Sequence, residues 1–431
     1  MKHSGIPWIG EIPKEWNLNR IKNLFRIVGG NGFKDVYQGV ESGDYPFYKT
    51  SDINGLEDYV NQSKNYVNQD IVEIEGYNVI PCNSIIVSKI GAAMLKNHRK
   101  ISSCECCIDN NLQALLLTGG DDVKYLYYLL KIIDFAWFDN NSTIPSVNNS
   151  QLKDFPIPLP PLPEQQKIAS FLDKKCSEID EMVVLQEKII EELKAYKQSV
   201  ITEAVTKGLN PDVPMKDSEI MFVDKIPSHW KETKTLRLLS MPITDGPHET
   251  PEGLDDGIPF ISADAVSDGY INFNNKWGYI SKEYYDECCK KYTPRKQDIY
   301  MIKSGASTGR TAIVDTDEIF TIWSPLAVFR SNQEVMLPHF LLYVLRSDSY
   351  QKQVESKWSY GTQQNIGMRT LEKLIISYPP LSEQQEIADY LDKKCSEIDS
   401  LISIKQSKIE SLKEYKKSII YEYVTGKKEV I

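Results

Sequence analysis

Apolar residues recur at near-heptad spacing along two long stretches that contain neither glycine nor proline. In the first, residues 164–206, they are Ile168, Leu172, Cys176, Ile179, Met182, Val183, Ile189, Ile190, Leu193, Tyr196 and Val200. In the second, which begins at Glu383, they are Ile387, Leu391, Cys395, Ile398, Leu401, Ile402, Ile409, Leu412, Tyr415 and Ile419. These stripes predict two amphipathic α-helices of about 40 residues, each about 60 Å long. Gly208 and Gly426 follow as the expected C-terminal ends.

The two stripes match position by position, and neither helix can bury its stripe against one small domain. The sequence therefore predicts that the helices pair with each other. Because each half of the chain places its globular part before its helix, we expect antiparallel pairing, with the globular domains at opposite ends of a spacer and related by a pseudo-twofold axis. The alternative is that each helix docks on an unrelated partner.

The repetition extends over the whole chain. The segment at residues 164–180, which starts with Glu-Gln-Gln, recurs nearly unchanged at residues 383–399, and each copy follows a proline-rich approach. An Ile-Pro-x-x-Trp element occurs at residues 12–16 and again at residues 226–230. The chain therefore consists of two half-copies joined head to tail.

Between these repeated elements the two halves diverge. Short alternating or β-branched runs, separated by Gly, Asn and Asp, predict strand-rich domains with long loops. The predicted fold class is two α/β (α+β) domains in a pseudo-twofold arrangement, joined by two long antiparallel coiled-coil helices. The predicted segments are a first domain at residues 1–157, its proline-rich approach and helix at 158–210, a second domain at 211–377, and the second approach and helix at 378–431.

The composition of the 431 residues is that of a globular protein, with 41% hydrophobic and 26% charged residues. No apolar run approaches the roughly 18 residues of a membrane helix, and the first residues lack the apolar core of a signal peptide. We therefore expect a cytoplasmic protein. The formal net charge of −10 argues against bulk electrostatic coating of nucleic acid but leaves room for a local basic surface.

No catalytic or metal site is predicted. The eight cysteines do not form a disulfide framework, and the cluster of Cys104, Cys106 and Cys107 lacks a second ligand pair at zinc-finger spacing. The glycine-rich residues 304–311 have Arg310 where a phosphate-binding loop needs lysine, and no dinucleotide-binding or methyltransferase motif is present. No nucleophile is paired with a base.

Polar loops occupy corresponding positions in the two halves. Amide and hydroxyl side chains gather at residues 140–151 in the first half and at residues 361–369 in the second. Asn and Gln can bond the edge of adenine, while Lys and Arg reach guanine or phosphate. The alternative for any one of these residues is a polar turn.

Together these features resemble the DNA specificity subunit of type I restriction-modification systems. The likeness covers essentially the whole chain and rests on three elements that occur twice: Ile-Pro-x-x-Trp, the proline-rich approach into Glu-Gln-Gln, and an Ile-Asp pair at residues 179–180 and 398–399. Residues 245–251, which begin Asp-Gly-Pro-His, also resemble an opening common in the family's target-recognition domains.

The resemblance implies a non-catalytic chain that binds double-stranded DNA, two methyltransferase (M) subunits and, in the full complex, restriction (R) subunits. S-adenosylmethionine, ATP and Mg²⁺ are then expected on the partners, and no cofactor is expected on this chain. Each domain would recognise one half of a bipartite target, and the helices would set the spacer. The open alternatives are a coiled-coil scaffold without a nucleic-acid role and a single-chain restriction-modification enzyme.

Two sets of candidate site residues follow. The candidate DNA contacts are Lys89, Lys96, Arg99, Lys100, Asn141, Ser142, Thr143, Ser146, Asn148, His248, Lys303, Ser307, Thr308, Arg310, Thr362, Gln363, Gln364, Asn365 and Arg369. The candidate residues of the partner-docking and spacer helices are Glu164, Gln165, Gln166, Leu172, Ile179, Glu383, Gln384, Gln385, Leu391 and Ile398.

Overall fold

The computed structural model describes residues 1–55, 57–140, 143–360 and 364–430. The chain divides into two compact units. Unit 1 comprises Met1–Glu187 and Gln406–Ile431, and unit 2 comprises Lys188–Lys405. The division therefore falls within both long helices, so each unit contains part of each helix.

The two predicted long helices are present at Leu162–Lys207 and Leu381–Val424. We refer to them as the first and second long helix. Gly208 and Gly426 follow them with φ values of 75° and 68°, the left-handed conformation in which glycine ends a helix. At Gly426 a larger residue would also clash, because a Cβ there would lie 2.3 Å from Pro13 Cδ.

The long helices pair in antiparallel fashion within each unit, as predicted. In unit 1 the ring of Phe171 lies 4.4 Å from that of Tyr423, and further along the first helix Asp180 lies 2.6 Å from Lys416. In unit 2 the shared core contains Ile201, Ala204 and Val205 of the first helix with Ile387, Leu391 and Cys395 of the second. The matched stripes therefore bury each other.

The stripe is narrower than the sequence predicts. Met182, Tyr196, Leu401 and Tyr415 were expected in it, but their exposed fractions are 41%, 53%, 46% and 54%. The buried residues keep heptad spacing along the helix, as at Ile179, Val183, Gln186 and Ile190. Each of the four exposed residues lies one position before a buried or partly buried residue, which places it at the edge of the stripe.

Each unit contains a five-stranded sheet with the same strand order. In unit 1 the neighbouring strands are Phe25–Gly29, Leu112–Leu117, Ile85–Ser88, Arg99–Ser102 and Tyr59–Val60. In unit 2 they are Thr244–Asp245, Leu326–Phe329, Ile299–Ile302, Thr311–Ile313 and Gly269–Tyr270. The first four strands are antiparallel, and the fifth joins in parallel.

A three-stranded sheet is also repeated. Its central strand is Tyr45–Tyr48 in unit 1, parallel to Cys107–Ile108 and antiparallel to Tyr66–Val67. In unit 2 the central strand Ile258–Ile261 is parallel to Thr321–Ile322 and antiparallel to Gly278–Ile280. The divergent sequences of the two halves therefore adopt one topology.

Two-stranded ladders complete the sheets. They pair Lys2–His3 with Glu11–Ile12, Asn17–Arg20 with Pro156–Leu159, Met215–Asp217 with Lys225–Pro227, Lys231–Lys234 with Ile375–Tyr378, and Ser359–Tyr360 with Gln364–Asn365. The residues that lead into each long helix thus form a strand that is tied back to the start of its own domain.

The remaining helices of the described residues are short. The α-helices are Ile21–Leu24, Gln69–Glu75, Gly91–Leu95, Val123–Lys131, Asn149–Asp154, Lys282–Lys291, Pro338–Arg346, Asp348–Glu355 and Met368–Leu371. The 3₁₀ helices are Asp35–Tyr37, Phe135–Phe138, Thr235–Leu238, Ala263–Ala265 and Phe273–Asn275. In the described part of the chain, no helix combines the length and apolar composition needed to cross a membrane.

Candidate nucleic-acid interface

One pair of loops has the same backbone geometry in both units. In unit 1 the Gly91 N–H donates to the Pro145 carbonyl oxygen over 2.7 Å, and the Val147 N–H donates to the Lys89 carbonyl oxygen over 2.9 Å. We call residues 89–91 and 143–148 the loop pair of unit 1. These bonds fix a polar segment beside the end of a central strand.

The loop pair of unit 2, residues 303–310 and 364–369, is joined by the equivalent bonds. The Gly305 N–H donates to the Gln364 carbonyl oxygen over 3.0 Å, and the Ile366 N–H donates to the Lys303 carbonyl oxygen over 2.9 Å. The Thr308 hydroxyl donates to the Gly305 carbonyl oxygen over 2.7 Å and closes the turn. Segments that are far apart in sequence therefore meet in the same way twice.

The loop pairs bring many of the predicted DNA contacts together. They contain Lys89, Thr143, Ser146 and Asn148 in unit 1, and Lys303, Ser307, Thr308, Arg310, Gln364, Asn365 and Arg369 in unit 2. The predicted contacts Asn141, Ser142, Thr362 and Gln363 lie outside the described residues. Thr143, Arg310, Asn365 and Arg369 are exposed.

Asn148 has a local structural role. Its side-chain oxygen accepts hydrogen bonds from the backbone N–H groups of Ser150 and Gln151, at 3.1 and 3.2 Å. It is therefore the N-cap of the helix Asn149–Asp154. The alternative interpretation of these polar residues, a local structural role in a turn, therefore applies to the side-chain oxygen of Asn148.

Arg99 is buried, which corrects its prediction as a surface contact. Its side chain is on strand Arg99–Ser102, is 5% exposed, and donates to Asn97 Oδ1 at 2.8 Å and to the Ile133 carbonyl at 3.1 Å. Burial lowers the pKa of Arg99 to about 10. The guanidinium also lies 4.7 Å from the ring centre of Phe135, so it holds this strand to the neighbouring turn.

The two lysines on either side of Arg99 in the predicted basic run differ in exposure. Lys100 is only 4% exposed and lines a hollow of 290 Å³ beside Asp52, Asn54 and Glu57. Burial lowers its pKa. Lys96 is exposed and follows the short helix Gly91–Leu95. The predicted basic cluster therefore divides into a buried part and an exposed part.

Asp245 joins two of the predicted contacts in unit 2. Its carboxylate is 1% exposed and lies 3.1 Å from Lys303 Nζ and 3.3 Å from His248 Nε2. Burial by itself would raise the pKa of Asp245, but the ammonium groups of Lys291 and Lys303 outweigh it and the pKa is lowered. The sequence singled out the Asp-Gly-Pro-His motif but did not identify this carboxylate as the centre of an ion-pair cluster.

The glycine after Asp245 is required by close backbone approach. A Cβ on Gly246 would lie 1.9 Å from the Ile322 carbonyl oxygen, and one on Gly30 in unit 1 would lie 2.0 Å from that of Asp109. Both units therefore need glycine where the first sheet strand passes the three-stranded sheet.

A second carboxylate, Asp58, was missed by the sequence analysis. It lies 2.6 Å from Lys131 and 3.3 Å from Lys124, and the Tyr127 hydroxyl donates to it over 3.0 Å. Burial opposes its ionisation, but Lys131 and Lys124 prevail and hold the pKa of Asp58 at about 2. In unit 2, Asp268 likewise precedes the edge strand and pairs with Lys197 and Arg346.

Two of the clustered cysteines are buried thiols. Burial raises the pKa of Cys107 to about 12 and also raises that of Cys106, so both are neutral thiols. Within the described ranges, no group of three or more His, Cys, Asp or Glu side chains is placed to hold a metal ion.

The repeated Glu-Gln-Gln element has a structural explanation. Gln165 is buried, accepts a hydrogen bond from the Asp122 N–H at 2.8 Å and donates to the Pro160 carbonyl at 3.0 Å. Gln384 makes the same bonds, accepting from the Leu337 N–H at 2.8 Å and donating to the Pro379 carbonyl at 2.9 Å. This glutamine fastens each long helix to its preceding domain, so it faces inward rather than toward a partner.

The other predicted helix residues divide by exposure. Leu172, Ile179, Leu391 and Ile398 are buried within their own units, Gln166 and Gln385 are exposed, and Glu164 and Glu383 are partly buried. The apolar residues thus belong to the helix pair itself. Glu383 also accepts a hydrogen bond from the Trp230 indole N–H at 3.0 Å, which ties the second Ile-Pro-x-x-Trp element to its helix.

Apolar side chains remain exposed at equivalent positions of the two helices. We call this set the exposed helix face, and each member is at least 41% exposed. Its members are Met182, Leu185 and Tyr415 in unit 1 and Leu401, Ile404 and Tyr196 in unit 2. Recurrence of one apolar pattern in both units marks a candidate interaction surface.

The family model of the type I restriction modification DNA specificity domain matches residues 13–195 and 252–426. The chain belongs to this family. Specificity subunits are the non-catalytic members of type I restriction-modification systems, and the chain shares this character by family membership.

Several specificity subunits are similar over most of their length. The MjaVIII specificity subunit of Methanocaldococcus jannaschii is 26% identical over 427 residues, covering 96% of this chain and 93% of the relative. The putative MjaX specificity subunit of the same organism is 28% identical and covers 97% of this chain and 95% of the relative. The EcoBI specificity subunit of Escherichia coli is 28% identical over 265 residues, which cover 60% of this chain and 55% of that relative.

Solved specificity-subunit structures share the fold. A chain from a study of complex assembly and conformational transition in the type I R-M system superposes with a TM-score of 0.71 at 17% identity, covering 96% of this chain and 99% of that one. The HsdS subunit of Thermoanaerobacter tengcongensis superposes with a TM-score of 0.51, also at 17% identity, over 96% and 98% of the two chains. The predicted fold class is confirmed.

Proposed function

We propose that the chain recognises a bipartite DNA target, with the loop pair of each unit contacting one half-site. The observation that supports this is the recurrence of one backbone geometry with different side chains. The loop pair of unit 1 presents Lys89, Thr143 and Ser146, whereas that of unit 2 presents Arg310, Gln364 and Asn365. Because base edges are distinguished by the donors and acceptors that meet them, different side chains imply two different half-sites.

The paired long helices are proposed to set the spacer between the half-sites. Each helix runs without interruption from one unit into the other, and its stripe is buried by the other helix within each unit. A helix fixes length at 1.5 Å per residue. The number of base pairs between the half-sites therefore depends on helix length rather than on the loop pairs.

The exposed helix face is proposed as the docking surface for the methyltransferase subunits. The face occurs once in each unit, and two equivalent surfaces suit two copies of one partner. The family implies DNA, M and R subunits as partners in a type I complex. In this proposal S-adenosylmethionine, ATP and Mg²⁺ are bound by those partners, and the chain itself binds no cofactor.

The net charge of −10 is consistent with shared contacts to DNA. Nonspecific and specific DNA affinity both depend on the number of phosphates that Lys and Arg neutralise. We expect the isolated chain to bind target duplex weakly and the complex with its M subunits to bind tightly.

The decisive experiment uses the full chain co-purified with its M subunit. Sequencing of methylated adenines in the host genome gives the target, and gel shifts then compare a target duplex with one in which either half-site is scrambled. Tight binding that is lost on scrambling either half supports the proposal. Equal retention of target and scrambled duplexes, or no retention, would support the scaffold alternative. Methyl transfer by the isolated chain would support the single-chain enzyme.

A further inference from the structure

Two lysines at equivalent strand ends face different neighbours. Lys303 follows strand Ile299–Ile302 in unit 2 and is 13% exposed, with its ammonium 3.1 Å from the buried carboxylate of Asp245. Lys89 follows strand Ile85–Ser88 in unit 1. The backbone carbonyl oxygen of each lysine accepts the hydrogen bond that closes its loop pair. The two lysines therefore occupy equivalent positions in the two units.

Gly29 occupies the position of Asp245 in unit 1. Both residues end the first strand of the five-stranded sheet and pair across to the neighbouring strand, Gly29 with Gln113 and Asp245 with Ala327. A Cβ on Gly29 would meet one heavy atom within 4 Å, which is Lys89 Nζ at 3.4 Å. The Lys89 ammonium therefore lies beside the place where unit 2 has its carboxylate.

Over residues 1–55, 57–140, 143–360 and 364–430, Lys89 has no compensating charge. No carboxylate in those ranges lies within ion-pair distance of its ammonium, and its side chain makes no hydrogen bond to them. The residue is partly buried. An ammonium that loses part of its hydration is destabilised unless another group supplies an acceptor.

We propose that Lys89 is a DNA-binding residue whose ammonium donates to an oxygen of bound DNA, either a phosphate oxygen or guanine O6. Lys303 is not assigned this role because its ammonium already pairs with the carboxylate of Asp245, which it shares with Lys291. This inference rests on the proposed function and adds that the two units bind DNA unequally. Unit 1 presents the partly buried Lys89 at its loop pair, and unit 2 presents the exposed Arg310.

The test introduces a carboxylate into unit 1 at position 29, where unit 2 has Asp245. Gly29 is not among the glycines with left-handed backbone, and its Cβ direction is open except for Lys89, so Gly29→Asp is sterically compatible with the fold. Gly29→Asn is the matched uncharged control. Lys89→Gln removes the positive charge directly. If Gly29→Asp lowers the thermal unfolding midpoint, the role of Lys89 is judged from Lys89→Gln instead.

Binding of the full chain with its M subunit is measured by fluorescence anisotropy against salt concentration, on a target duplex and on a random-sequence duplex pool. Gly29→Asp and Lys89→Gln are each expected to weaken binding roughly five- to tenfold near 0.1 M salt, with Gly29→Asn unchanged. If the ligand is a phosphate oxygen, the salt slope also falls by about one. Equal losses on both duplexes identify a phosphate oxygen, and a loss confined to the target identifies guanine.

Wild-type affinity and slope in both Gly29→Asp and Lys89→Gln, with wild-type DNA binding intact, would overturn the inference while leaving the proposed function standing. If the wild-type complex binds neither duplex, the proposed function fails first, and the assignment of Lys89 fails with it. The two failures are therefore distinguishable in one experiment.

Discussion

Asp180 of the first long helix and Lys416 of the second form an ion pair of 2.6 Å in unit 1, and unit 2 contains the same pair with the helices exchanged. There Lys197 of the first helix lies 2.9 Å from Asp399 of the second. In each unit, therefore, an aspartate of one long helix pairs with a lysine of the other.

The first prediction concerns this ion pair. Asp180→Asn should lower the free energy of unfolding by about 1 kcal/mol, because Lys416 is 17% exposed and loses a charged partner. Chemical denaturation of the full chain measures the change. Glu414→Gln, which removes the exposed intrahelical pair with Lys417, is the matched control and should not move the midpoint. Equal effects of the two substitutions would contradict the prediction.

The second prediction separates adjacent glutamines. Gln384→Ala should destabilise unit 2 by about 2 to 3 kcal/mol, because it removes hydrogen bonds and leaves the Leu337 N–H and the Val335 and Pro379 carbonyls unpaired in a buried site. Gln385→Ala changes the next residue of the same helix, whose side chain is exposed, and should have little effect on stability. The comparison uses urea unfolding, and a similar loss in both variants would show that the position of Gln384 is not special.

The third prediction is a pH dependence centred on Asp58. Its folded-state pKa of about 2 lies below the ordinary value of 3.8, so its contribution is present above pH 4 and is lost as the pH falls toward 2. The difference in unfolding free energy between wild type and Asp58→Asn should be about 2 kcal/mol at pH 6 and fall to roughly half that value by pH 3. Chemical denaturation at each pH gives this difference. A constant difference over this range would show that the charge of Asp58 is not what stabilises unit 1.

The fourth prediction addresses partner docking. The pair of substitutions Leu185→Glu and Ile404→Glu should weaken binding of the M subunit at least tenfold without changing the unfolding midpoint, since both side chains are more than half exposed and lie in an apolar face. Lys188→Glu introduces the same side chain at a neighbouring exposed position and should bind normally. Isothermal titration with purified M subunit distinguishes the variants.

The fifth prediction tests the helices as a spacer. Insertion of one heptad into each long helix at equivalent positions keeps the buried stripe in phase and lengthens each helix by about 10 Å. The methylated target should then have a longer gap between unchanged half-sites, as determined by sequencing of methylated DNA. An unchanged gap would refute the proposed role of the helices.

The sequence predicts the long helices well because their signal is local. A regular spacing of apolar residues, free of glycine and proline, identifies each helix, and the identity of the two stripes identifies each as the partner of the other. Gly208 and Gly426 mark the ends for an equally local reason, which is the left-handed backbone conformation.

The candidate site is predicted less well because its geometry depends on distant partners. The sequence places Lys89 near a strand end but does not reveal that Gly29 leaves it without a carboxylate. Arg99 looks like part of an exposed basic run, yet Ile133 and Phe135 bury it. Asp58 is inconspicuous until Lys124 and Lys131 are brought to it by the fold. In each case the deciding contact joins residues that are far apart in the sequence, and a local sequence pattern does not predict such contacts.

The ion pair of Asp180 with Lys416 also has a consequence for the order of folding during synthesis. Unit 2 is one continuous stretch, whereas unit 1 is assembled from segments before and after it. The core of unit 1 includes Ile419, Ile420 and Val424, which are translated after all of unit 2. Unit 1 therefore starts to be translated before unit 2 but can complete its core only after unit 2 has been synthesised.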